Sequence, residues 1–175
     1  MKKKKQKSNP KIVKKLVPRA GLALKNEFYL EATWIISTIM ETKLRSVITR
    51  VGKENPGPGF GLAKCIKRVK YLLLKKDHPL LSKHLEIRLT DELRSWKNYR
   101  NKVFKDMSEI HVSKTRFKKM AEEGIVLLQE LNSSVKKFKA DWKKLSITPT
   151  PQPASIQSAP LQEEKGEDHP QSSQE

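Results

Sequence analysis

Apolar positions recur through the middle of the chain at three- and four-residue spacings, the signature of helices that bury one face. Ile35, Ile36, Ile39, Met40, Leu44, Val47, Ile48 and Val51 make one such stripe and predict a single long helix from about Leu22 to Val51. Gly52 and the Pro56-Gly57-Pro58-Gly59 turn stop it. Leu62, Cys65, Ile66, Val69, Leu72 and Leu73 predict a second helix from about Gly61 to Lys75, ended by Asp77-His78-Pro79. A short helix follows around Leu80 to Ile87. The next starts at Thr90, read as its N-cap, and runs through Leu93, Trp96, Val103, Phe104 and Met107. The last begins near Ser113 and carries Phe117, Met120, Val126, Leu127, Leu131, Val135, Phe138 and Trp142. No segment alternates as a strand does, so the predicted fold is all-α, a four- to five-helix up-down bundle. Trp34, Trp96 and Trp142 fall on apolar faces and are read as core anchors in preference to base-stacking platforms.

Charge divides the chain into three parts. Residues 1–19 carry eight lysines, one arginine and no acidic residue, and read as a basic arm, disordered, that either condenses onto nucleic acid or stays a solvated terminus. Residues 20–145 hold the helical pattern. Residues 146–175 are rich in Pro, Gln and Ser, with Glu163, Glu164, Glu167, Asp168 and Glu175 against Lys165 alone, and read as a disordered acidic tail. The formal charge of +18 over 175 residues therefore understates how basic the first 145 are. Acidic partners are favoured, and the tail would compete weakly for the same surface.

Little conventional chemistry is on offer. No apolar run approaches the ~18 residues of a membrane span, and the Lys-rich start leads into no signal-like apolar stretch, so no membrane is expected and a cytoplasmic location is. Cys65, the one cysteine, reads as a small buried hydrophobe among Leu62, Ile66 and Val69. His78 and His84 are separated by about 240° of helical rotation and by Pro79, which argues against a shared metal; no cofactor is implied. Pro56-Gly57-Pro58-Gly59 lacks the Lys-Ser or Lys-Thr of a phosphate loop.

Three stretches taken together, "EFYLEATWIISTIMETKLRSVI" (27–48), "FGLAKCIKRVKYLL" (60–73) and "LTDELRSWKNYRNKVFKDM" (89–107), resemble the HEPN domain in order and kind. The likeness covers about Asn26 to Trp142. It implies a dimeric helical bundle in which an Arg-polar pair, followed at a set spacing by His, forms a metal-independent ribonuclease site across the dimer. Arg100-Asn101 match the pair and Glu41 matches an acidic position on the first helix. The histidine is missing: Lys105, Asp106 and Met107 stand where it should fall, and His111 is too far on. A lysine near its unperturbed pKa of about 10.4 holds a phosphate but relays protons poorly. The expectation is a non-catalytic HEPN-like module, probing RNA or an acidic protein with Lys97, Arg100, Asn101, Lys102 and Lys105. The alternative is a ribonuclease toxin of a defence or toxin-antitoxin pair with a substituted acid-base residue. A plainer reading of Arg100-Asn101 is a solvated or salt-bridged helix face, with Glu92 or Glu109 as partner.

Overall fold

In the computed structural model the described residues, 10–52, 56–57, 59–109 and 111–147, form an all-α bundle of six helices with no strand. These are α1 Pro10–Lys25, α2 Tyr29–Val51, α3 Leu62–Leu74, α4 Pro79–His84, α5 Ile87–Glu109 and α6 Lys114–Ile147. Of the predicted arm, residues 1–9 lie outside the described residues, as do residues 148–175 of the predicted tail.

Two boundaries differ from the sequence reading. The single helix expected over Leu22 to Val51 is a helical hairpin, and its first arm starts at Pro10, inside the segment read as basic arm. The turn closes without glycine. Glu27 takes a positive φ of 60°, and Phe28 N–H donates to Ala23 O at 2.8 Å while Glu27 N–H donates to Leu24 O at 3.0 Å. These two bonds are those of a Schellman closure, which favours Gly at the position Glu27 holds. Small residues make the hairpin close: Ala20 and Ala23 of α1 and Ala32 of α2 are fully or nearly fully buried, and Arg19 ties to Glu31 at 2.6 Å.

The second difference is at α5, which begins at Ile87 rather than Thr90. Leu85, Leu89, Leu93 and Trp96 continue one buried stripe back past Thr90, and burying it draws the helix start with it. Thr90 is consequently interior, its hydroxyl donating to Ile87 O at 2.7 Å.

Helix α2 is the hub, packing against α1, α3 and α6, while α5 closes against α3 and α6. Ile36, Ile39, Met40, Leu44 and Ile48 of α2 meet Val69 of α3, Leu93 of α5 and Leu131, Val135 and Phe138 of α6 in one core. Trp96 is buried there, with its indole N–H donating to Met120 O at 2.8 Å, and Trp142 packs half-buried on Phe138, their rings 5.5 Å apart. Trp34 is not a core anchor: it is 71% exposed. Between α2 and α3 the chain folds back along α2. Arg45 donates to Pro56 O at 3.2 Å and Gly57 O at 3.1 Å, so that α3 begins beside Glu41. Cys65 is buried as expected, and burial pushes its thiol up to about 12.

Candidate nucleic-acid interface

With Pro56 and Gly57 held by Arg45, the start of α3 lies against the polar side of α2 and the middle of α5. A groove of about 540 Å³ lies between them, lined among others by Trp34, Glu41, Lys64, Lys97, Arg100 and Phe104. Its wall on α2 is a stripe of Trp34, Ser37, Thr38 and Glu41, spaced at three and four residues on the face away from the apolar stripe.

Arg100 does not stand at the solvent side of α5. It is half-buried and reaches across to α2, donating from Nη1 to Ser37 Oγ at 2.5 Å and from Nη2 to its neighbour Asn101 Oδ1 at 2.9 Å. Its guanidinium carbon lies 5.8 Å from the Trp96 ring centre and 6.0 Å from that of Phe104. Burial lowers its pKa from arginine's ordinary value and the charge of Glu41 works the other way; an arginine stays protonated throughout. Glu41 itself is held by Arg45 at 2.9 Å. Among the described residues no carboxylate is ion-paired with Arg100, Lys97 or Lys64; Glu92, one partner suggested by the sequence, is taken by Arg88 at 2.5 Å. Lys97 bonds Asn98 Oδ1 at 3.2 Å and Lys64 bonds Gly59 O at 3.3 Å, both neutral acceptors.

The five residues singled out from the sequence therefore split. Lys97 and Arg100 face the groove and Asn101 buttresses Arg100, whereas Lys102 and Lys105 are exposed and outside the groove lining. Lys102 is about 200° and Lys105 about 140° round the helix from Arg100, so the four cations cannot make one strip. At the positions where a histidine would be sought, Lys105 points away, Asp106 is ion-paired with Arg116 at 2.6 Å and Met107 is 50% exposed. His111 lines a different groove with Phe28, Tyr29 and Lys114, and His84 is hydrogen-bonded to Asp141 at 3.0 Å. No group of three metal-ligating side chains occurs among the described residues.

Two groove-lining residues, Lys64 and Trp34, were not assigned to a site from the sequence. Lys64 reaches the groove because α3 begins beside Glu41 of α2, a long-range placement. Trp34 was legible in principle, since a tryptophan seated in an otherwise polar stripe has no core to fill. The groove continues: from Ala63 and Lys97 a second one, of about 490 Å³, runs along α3 and α5 past Lys67, Arg94 and Tyr71. Tyr71 is 44% exposed, with Arg68 and Lys75 each 5.1 Å from its ring centre. No helix is long and apolar enough to cross a membrane among the described residues. No protein-family profile, no curated protein and no solved structure matches this chain.

Proposed function

We propose that the chain is a non-catalytic, HEPN-like helical module that binds single-stranded RNA along the α2–α3–α5 groove, as a homodimer. The observation that carries this reading is the convergence of Lys64, Lys97 and Arg100, none ion-paired, on a groove rimmed by an exposed tryptophan. Cations with no ion-paired carboxylate suit phosphates. An aromatic face at Trp34, with Tyr71 farther along, suits unpaired bases, whose stacking is worth about 1–3 kcal/mol each. An acidic protein would use the cations and leave the tryptophan idle, which is why RNA is preferred.

Catalysis is not part of the reading because the described groove lining holds no histidine, the residue type whose ordinary pKa suits both taking and returning a proton. Arg100 is half-buried and already oriented by Ser37 and Asn101, which suits it to holding a phosphate in one place. For the dimer, Trp96 and Val103 are spent in the core, whereas Phe28, Leu30 and Met107 are among the large apolar side chains left exposed.

Titrating a short single-stranded RNA while following tryptophan emission tests the reading. Quenching that saturates, and that Trp34→Ala abolishes, supports it. Recovered RNA should be full length. Metal-independent cleavage lost in Arg100→Ala would replace this reading with the ribonuclease one, and absent or salt-insensitive binding would leave an acidic protein as the partner. Sedimentation of the full chain at micromolar concentration checks the dimer, and a clean monomer there removes it.

A further inference from the structure

Away from the groove, charge accumulates along the seam where α2 packs on α6. Lys43 Nζ donates to Asn132 Oδ1 at 2.6 Å, which fixes the register of the two helices. Seven residues on from each, about two turns, come Arg50 and Lys139, so these too face one another across the seam. Lys139 is half-buried; Lys136 and Lys143, three before and four after it, stand exposed on the same face of α6. Arg50 spends one N–H on Ser46 O at 3.0 Å.

Nothing acidic answers these charges. Among the described residues no carboxylate is ion-paired with Lys43, Arg50, Lys136, Lys139 or Lys143. Asp141, two residues from Lys139 and so about 200° round α6, is engaged by Lys83 and His84 of α4 and by Lys144. Holding an ammonium half out of water beside two more cations is costly unless an anion is supplied. The strain is visible in proton affinity: burial, then Arg50 and Lys43, pull Lys139 down to about 8, and burial lowers Lys43 as well.

We propose that Lys43, Arg50 and Lys139 form an anion site at the α2–α6 seam, built for a doubly charged phosphate group and separate from the Arg100 groove. Lys43 and Glu41 are two residues apart, about 200° round α2, which puts the two sites on opposite sides of that helix. The two helices present three cationic donors from fixed backbones. Asn132, whose carbonyl oxygen is taken by Lys43, has its amide NH₂ to add.

The test is a titration of the full-length protein with inorganic phosphate at constant ionic strength, chloride replacing phosphate, followed by amide and side-chain NMR shifts. Saturable shifts centred on Asn132 and Lys139 are expected, with a dissociation constant of about millimolar, near −4 kcal/mol. Lys139→Gln should weaken binding at least about tenfold and keep the helical circular dichroism, because it removes a buried charge rather than a packed apolar group. Lys43→Gln is the second variant should Lys139→Gln prove unstable. Arg100→Ala should leave the phosphate-induced shifts at Asn132 and Lys139 unchanged, so that failure here and failure of RNA binding are separable. Co-sedimentation with phosphatidic acid vesicles, lost in Lys139→Gln, would identify the phosphate as a lipid headgroup; phosphate saturation without it would identify a free small anion. Shifts no different from those of chloride, or wild-type binding by both glutamine variants, would overturn the site.

Discussion

Substituting Gly124 by alanine sets two effects of opposite sign against each other. Gly124 is buried mid-way along α6, where alanine's helix propensity alone would stabilise the protein by about 1 kcal/mol. Yet a Cβ there would stand 2.6 Å from Trp96 Cζ2, 2.8 Å from Cε2 and 3.0 Å from Nε1. Carbon atoms rest at about 3.5–4.0 Å, so the indole must move by about 1 Å. It has little room, being 3% exposed, and its N–H is already committed to Met120 O at 2.8 Å. Overpacking costs about 1–3 kcal/mol and the strained hydrogen bond about 1 more. Net destabilisation of about 1–3 kcal/mol should follow. Urea unfolding should show a lower midpoint at unchanged slope. Trp96→Phe should reduce the penalty of the alanine, a coupling readable from a double-mutant cycle. A Gly124→Ala protein as stable as wild type, or more stable by the propensity gain, would refute the packing argument.

Glu27→Gly should stabilise by about 0.5–1 kcal/mol, since the positive φ of 60° is relieved and the lost ion pair with Lys114 is exposed; thermal melting checks it. In phosphate-free buffer, stability should rise as pH increases from about 8 towards 10.5, the range in which native Lys139 has released its proton and the unfolded chain still holds it. That rise should be smaller in Lys139→Met, as denaturant titrations at several pH values will show. Cys65 should resist alkylation at pH 8 in the native state, because burial holds its thiol up at about 12, and should react only as fast as the protein opens, which timed mass spectrometry reads directly.

The apolar stripes that set the core were legible because burial demands them: α3 and the main part of α2 lie where their Leu, Ile and Val spacings put them. The break between α1 and α2 was hidden, since Glu27 makes the left-handed turn without the glycine that usually marks it. Pro18, inside α1 and unable to donate a helical hydrogen bond, and the lysines before it made a helix from Pro10 hard to read. Of the candidate site, Arg100 and Lys97 were found from sequence. Their setting was not, because the inward turn of Arg100 depends on Ser37, 63 positions earlier in the chain. Lys102 and Lys105 were grouped with them by proximity in sequence, which helical rotation undoes.

The central claim is that phosphates meet Lys64, Lys97 and Arg100 in one groove. Fluorescence anisotropy of a labelled single-stranded RNA, measured across a salt series for wild type and for Lys97→Ala/Arg100→Ala, tests it most directly. Each phosphate contact contributes about −0.7 to the slope of log affinity against log salt, so the double variant should flatten that slope by about 1.4 while circular dichroism stays helical. A double variant that binds RNA with the wild-type affinity and the wild-type slope would contradict the account.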